Sequence, residues 1–226
     1  MIIEKNDFIE IEFTGKANNE IFDTTKEKEA KEKGIQTEVK PLIISAGNSM
    51  ILKGFDDFII GKEINKDYLV KLTPEQAFGK RIPSLVKTLP MKVFLEKNIK
   101  PYPGLILQMD NYVAKILSVS GGRVITDFNN PLAGKEVEYQ FKILRKIEDN
   151  SEKVKSLIHY FLKQDLNFEI KGDKVILKKP ELKPFIQVCA PKFKEMTGLN
   201  FEVEDLKKEK EENKTADKNG SWDSCS

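Results

Sequence analysis

Residues 127–135 read DFNNPLAGK, a cluster of Asn, Pro and Gly followed directly by the alternating stretch VEYQFKIL from Val137 to Leu144. Asn tolerates the left-handed backbone and Pro presets φ, so this cassette is a turn with a physical cause, and period-two alternation after it reads as a half-buried strand. What comes before the turn decides the architecture. From Ser84 the pattern runs through LVKTLPMKVF to Pro101 and Pro103, and then alternates as three short strands, Leu105–Met109, Tyr112–Val119 and Val124–Phe128. Gly121-Gly122 supplies the hairpin turn between the last two. This is a small sheet of its own, entered and left between Pro83 and Asn130. It reads as an inserted all-β domain, 84–129, whose ends must lie close together for a host domain to close around it.

The host is legible on both sides of the insert. Upstream, FIEIEF (Phe8–Phe13) alternates strictly, Asn18-Asn19 marks a hairpin turn, and Ile21-Phe22 begins the return strand. KEKEAKEKGI (Lys26–Ile35) predicts a polar surface helix with Thr24 or Thr25 as N-cap and Gly34 as its stop. Val39–Ser45 is a strand. Ser49–Ile60 is a short helix with Ile51, Leu52, Phe55, Phe58 and Ile59 on one face, and Tyr68–Leu72 is a strand ending before Pro74. The host therefore occupies 1–83 and 130–149, with Val137–Ile147 as its last strand.

Downstream, Ser151 is expected to N-cap a helix carrying Val154, Leu157, Ile158 and Phe161. Phe168–Ile170 and Val175–Leu177 flank the Lys171-Gly172-Asp173 turn. Pro184 opens a helix that runs to Met196 and stops at Gly198, and Phe201 and Val203 make a last strand. An α/β-mixed unit of this size, 150–206, is marginal alone and should dock or dimerise, so a homodimer through these residues is expected. Residues 207–226 are nearly all polar or charged and are expected to be disordered.

Composition narrows the chemistry. Lys+Arg at 38 against Asp+Glu at 36 leaves a formal charge of +2, so nothing global attracts nucleic acid or anionic lipid. Two cysteines, Cys189 and Cys225, do not make a disulfide framework, and a reducing compartment follows. No apolar run reaches membrane-spanning length and the N-terminus lacks a signal-peptide pattern, so a cytoplasmic protein is expected. The one histidine, His159, lies in mid-helix, which excludes a Ser-His-Asp triad. Neither a metal-ligand spacing nor a phosphate loop occurs, and no metal or cofactor is expected. An enzyme made from this chain must work with apolar surfaces and backbone groups.

Four motifs in order, FTGKANNEIFDTT (13–25), SAGNSMILKGFDDFIIG (45–61), LTPEQAFG (72–79) and DFNNPLAGK, resemble the FKBP family of prolyl isomerases. The resemblance covers residues 1–148, and within the family it points to the SlyD-type subclass, which carries a chaperone domain in its flap. It implies an α+β fold with a five- or six-stranded antiparallel sheet wrapped on the Ser49–Ile60 helix. It also implies a peptidyl-prolyl cis/trans isomerase acting on unfolded polypeptides with X-Pro bonds. By the same resemblance Phe13 matches the aromatic of the family's YTG motif and Phe22-Asp23 match its FD. Leu42 stands where a pocket phenylalanine is usual, and Ile51 and Leu52 match the pair at the head of the helix, the Leu52 N–H being the family's carbonyl anchor. Phe55 falls on the pocket floor, Phe78 replaces the tyrosine of AYG, and Tyr139 aligns with the wall of the last strand.

Some positions depart from the family pattern. Phe13 and Phe78 lack hydroxyls that many members use as polar handles, Leu42 removes an aromatic wall, and Asn130 stands where histidine is common. Macrolide affinity is thereby put in doubt, and without a His/Cys-rich tail the nickel handling of some SlyD relatives is not carried over. In the insert, the resemblance implies an exposed apolar surface that binds unfolded clients. Its candidates are Leu85, Val86, Leu89, Met91, Val93, Phe94, Leu105, Leu107 and Met109, where adaptable methionines suit a promiscuous binder. The C-terminal unit and the Lys26–Lys40 insertion match long archaeal FKBPs in position. Two other readings stand beside this one: a chaperone or interaction scaffold on a degenerate, inactive FKBP fold, and a translation- or ribosome-linked binding module built on the Lys-rich C-terminal unit, which salt-sensitive RNA binding would reveal.

Overall fold

The computed structural model describes residues 1–34, 40–109 and 112–204. In chain order its elements begin with β1 (Phe8–Ala17), β2 (Glu20–Thr24), α1 (Glu27–Lys33), β3 (Leu42–Ser45), α2 (Lys53–Ile59) and β4 (Asp67–Leu72). Next come β5 (Val86–Pro90), α3 (Met91–Leu95), β6 (Ile106–Met109), β7 (Tyr112–Ser120) and β8 (Arg123–Asp127). The chain then forms β9 (Val137–Ile147), α4 (Asn150–Leu162), β10 (Phe168–Lys171), β11 (Lys174–Leu177), α5 (Lys183–Thr197) and β12 (Asn200–Val203).

The expected α+β architecture is present. Strands run in the order β2-β1-β9-β4, with β3 paired to β1, and every pairing is antiparallel. Asn18 and Asn19 both take positive φ at the β1–β2 turn, as a two-residue hairpin demands. Against this sheet α2 buries Phe55 and Ile59. The helix is shorter than the expected Ser49–Ile60 because residues 47–52 form turns instead. There the Asp56 carboxylate accepts the N–H groups of Gly47 (2.8 Å) and Ser49 (2.7 Å), which fixes the approach to the helix.

The first helix is capped differently from expectation. Its N-cap is Lys26, with no side-chain cap bond, because the threonines are already committed to the sheet. Thr25 Oγ1 accepts the Phe13 N–H at 2.7 Å, and the Thr14 and Thr24 hydroxyls donate to Glu29 at 2.6 and 3.3 Å. Glu29 and the buried Ala30 thus dock a helix expected to be wholly solvated. Gly34 ends it in the left-handed conformation. Val39, expected to start the next strand, lies outside the described residues.

The insert sheet has four strands rather than three, ordered β5-β8-β7-β6 and antiparallel throughout. The extra strand β5 and the short helix α3 meet at Pro90, inside an apolar run whose periodicity does not distinguish strand from helix. Gly121 and Gly122 take positive φ at the β7–β8 turn. Phe94, Ile116 and Val124 form a core separate from that of the host.

In the C-terminal unit the order β10-β11-β12 makes a small sheet, with β11 and β12 parallel and α5 connecting them. Pro184 lies in the first turn of α5 and Gly198 ends it at φ 76°. The cap of α4 is Asp149, not Ser151: the Asp149 carboxylate accepts the Glu152 N–H at 2.8 Å, and the helix starts two residues early. Val154, Leu157 and Ile158 are buried in the same core as Phe8, Ile9 and Ile44 of the host. Docking therefore covers most of the apolar stripe that motivated an expected homodimer. Val188 remains 80% exposed and Phe161 40%. The tail, 207–226, lies outside the described residues, and no described helix is long and apolar enough to cross a membrane.

Candidate active site

Strand pairing sets Gly15 on β1 opposite Tyr139 on β9, and Phe13 opposite Phe141. A Cβ at Gly15 would come within 2.9 Å of both the Phe22 and the Tyr139 rings, so the bare glycine lets these two rings close over the sheet. Phe55 rises from α2 beneath them. It stacks on Tyr139 with centroids 4.8 Å apart and meets Phe13 edge-on at 6.1 Å. Phe22 meets Tyr139 at 5.8 Å and Phe78 at 5.7 Å, both near perpendicular. Such edge-to-face contacts follow from the ring quadrupole and favour one fixed arrangement.

Of the nine residues expected at the cleft, Phe13, Phe22, Phe55, Phe78 and Tyr139 form this continuous ring cluster. Phe13, Phe55 and Tyr139 are its buried floor, and Phe22 and Phe78 its half-buried rim. Leu42, Ile51 and Leu52 are half-buried and pack on the same core. Leu52 is the N-cap of α2, and its carbonyl accepts the N–H groups of Phe55 (3.0 Å) and Asp56 (2.9 Å).

The ninth residue, Asp23, gives the apolar cluster a charged edge. Burial pushes its carboxyl above the usual range, opposed by a bond from the Thr24 backbone N–H. Burial, and then the Asp23 charge, push the Tyr139 phenol far up, so its hydroxyl stays protonated. The Tyr139 hydroxyl therefore lies within the field of Asp23, while Phe13 and Phe78 carry no hydroxyl. Sequence reasoning missed Phe141, whose ring meets Phe55 at 4.8 Å; its spacing of two from Tyr139 on one strand face was the available signal. It also missed Gly15 and, across the chain, Tyr160, whose hydroxyl donates to the Met50 carbonyl just before Ile51.

In the insert, the residues singled out as a client surface mostly face inward. Phe94 is 1% exposed and fills the insert core, while Leu89, Met91, Val93, Leu105, Leu107 and Met109 pack around it half-buried. Leu85 and Val86 are half-buried at the neck. The sheet's other face presents Ile106 (58% exposed), Val113 (51%), Leu117 (37%) and Ile125 (38%) to solvent. Strand alternation explains the swap: the inward set is more apolar, so it dominates a count of hydrophobic residues. Among the described residues no group of three His, Cys, Asp or Glu could hold a metal ion.

Comparison with known proteins bears on both parts. The family of FKBP-type peptidyl-prolyl cis-trans isomerases matches residues 2–96, and a second family, described as FKBP26, IF domain, matches 87–132. The chain is 30% identical over 145 residues to a short-type peptidyl-prolyl cis-trans isomerase of Methanocaldococcus jannaschii, covering 63% of this chain and 92% of that protein. It is 25% identical over 161 residues to the FKBP-type peptidyl-prolyl cis-trans isomerase SlyD of Helicobacter pylori, covering 70% and 80%. With an FKBP-type 16 kDa peptidyl-prolyl cis-trans isomerase of Escherichia coli it shares 26% identity over 110 residues, covering 46% and 73%.

Proposed function

Because the chain belongs to the family of FKBP-type peptidyl-prolyl cis-trans isomerases, and is thus an enzyme that rotates X-Pro bonds, we propose that the ring cluster is where it does so and that the insert holds the client. The observation that carries the first part is the convergence of five aromatic rings from five separate segments beside Ile51, Leu52 and Asp23. The barrier to rotation, about 18–20 kcal/mol, is lost amide resonance, so no bond is made or broken and no nucleophile or cofactor is needed. Phe13, Phe55 and Tyr139 form a floor for the proline ring, and Phe22 and Phe78 its rim. A twisted amide has lost its conjugation and its charge separation, so a surface of low polarity favours it over the planar form. The Leu52 backbone N–H serves the carbonyl next to the proline, and the Tyr139 hydroxyl supplies a second donor.

In the second part, the exposed face with Ile106, Val113, Leu117 and Ile125 takes apolar segments of unfolded chains. Its support is the pairing of an apolar solvent-facing sheet with the IF-domain match. A peptide assay without coupled protease tests the catalytic assignment. Phe78→Ala and Asp23→Ala are expected to lower isomerisation of a tetrapeptide several-fold while circular dichroism stays unchanged. If both variants fold and turn over at the wild-type rate, the cluster is not the catalytic cleft.

A further inference from the structure

A cleft of about 630 Å3 opens beside the ring cluster. Phe13, Asp23 and Leu42 line it on the host side, and Ser156, His159 and Tyr160 of α4 line it opposite. Its volume falls within the roughly 300–1,000 Å3 of well-formed ligand sites, more than one proline ring occupies.

Helix α4 is held firmly in this position. Val154, Leu157 and Ile158 are buried beneath it in the host core. Arg145 on β9 binds Glu152 of α4 through a two-pronged contact and also binds Glu10 on β1. The Tyr160 hydroxyl donates to the Met50 carbonyl, so α4 grips the segment that leads into Ile51 and Leu52.

We infer that α4 is the outer wall of the prolyl cleft, and that the groove it forms takes the client residues that flank the proline. The groove is continuous with the proposed proline pocket through Phe13, Asp23 and Leu42, so a chain seated there runs past α4. Apolar side chains rest on Phe13, Leu42 and Tyr160, and the polar rim meets the peptide groups. The C-terminal unit thereby becomes part of substrate selection. This inference rests on the ring cluster being the active site.

The test uses the full chain in a protease-free isomerase assay. A blocked tetrapeptide is compared with a longer peptide that carries leucine and phenylalanine on both sides of the same Ala-Pro. Wild type is expected to favour the longer peptide about tenfold in kcat/KM, the equivalent of roughly 1.4 kcal/mol. Ser156→Trp, which fills the groove, should bring that ratio close to one. Lys155→Trp, at an exposed position one residue away, serves if the first variant distorts the helix.

If the ratio is unchanged in both folded variants, the inference is overturned. It is overturned equally if the preference disappears only on deleting 84–129, which assigns the flanking contacts to the insert. A change in sedimentation with no change in ratio marks the face as a contact between copies and also ends it. A Phe78→Ala arm separates the two levels. Lower tetrapeptide turnover there, with an intact ratio in the filled variants, removes the inference alone. Unchanged turnover there removes the site assignment and the inference with it.

Discussion

Gly15 controls how closely the rings pack. Its absent Cβ would lie 2.9 Å from Phe22 and from Tyr139, closer than real Cβ atoms come, and both rings are already wedged against others. Gly15→Ala is therefore expected to cost about 1–3 kcal/mol, the usual toll of overpacking. It should also lower tetrapeptide turnover, because relief requires Phe22 or Tyr139 to swing away. Thermal melting and the isomerase assay check both effects; an unchanged melting temperature would show that the rings have slack. At this scale the ring cluster was largely readable, since four of its residues sit in motifs whose order along the chain identifies them and Tyr139 lies on the strand that follows the last motif. Tyr160 was not readable, because its bond to Met50 joins residues 110 positions apart and depends on where α4 docks.

Elements were legible where a turn residue punctuates them and obscure where one apolar run serves two structures. Asn18-Asn19, Gly121-Gly122 and Gly198 each ended an element where expected, because positive φ restricts the residue choice. β5 and α3 were not separable, since VKTLPMKVF is apolar enough for either. The neck between host and insert was also unread, and it is the most testable element. Asn129 accepts the Ile82 N–H at 2.8 Å and donates to the Ile82 carbonyl at 3.0 Å and to Asp127 at 2.7 Å. Arg81 binds the same Asp127 at 2.6 Å.

Replacing Asn129 with Ala leaves these backbone groups unpaired, at about 1–3 kcal/mol for each group that stays buried. Faster hydrogen exchange in β5 and β8 is the expected readout, with β1 and β9 unaffected; equal exchange in both sheets would show that the neck does not hold the insert. The neck should weaken in acid as well. Burial alone would raise the Asp127 carboxyl, but the Asn129 N–H bonds and Arg81 outweigh it and hold the group low. A lowered carboxyl stabilises the fold above its unfolded value, about pH 4, and loses that contribution as pH falls through the folded value. Protection of the insert amides, taken relative to the intrinsic exchange rate at each pH, should accordingly fall below about pH 4, and Asn129→Ala should flatten that response; a fall of the same size in the variant would place its cause outside the neck.

At the scale of the whole molecule, the described residues form two hydrophobic cores of unequal strength. One runs through the host sheet, α2, α4 and the C-terminal sheet, while the other rests on Phe94, Ile116 and Val124. Regions with few buried contacts open first, so the insert can loosen while the host sheet stays closed. The proposed client-holding role would benefit from that arrangement, because the insert could adapt without disturbing the rings. The same separation makes the insert removable. Its entry at Ile82 and exit at Asn129 are hydrogen-bonded to each other, so a short linker can join the ends. Deleting 84–129 is expected to leave tetrapeptide isomerisation near the wild-type rate, since no ring of the cluster lies in that segment. Proline-limited refolding of a whole protein should slow sharply. On the proposed division of labour, a chain held by the exposed face of Ile106, Val113 and Ile125 would meet the cleft at an effective concentration on the order of millimolar, and deletion would return it to its bulk concentration. Refolding rates followed by tryptophan fluorescence of a test client distinguish the cases. A deletion variant that refolds the client as fast as the full chain means that the cleft finds its X-Pro bonds unaided, and the division of labour between the two cores then fails.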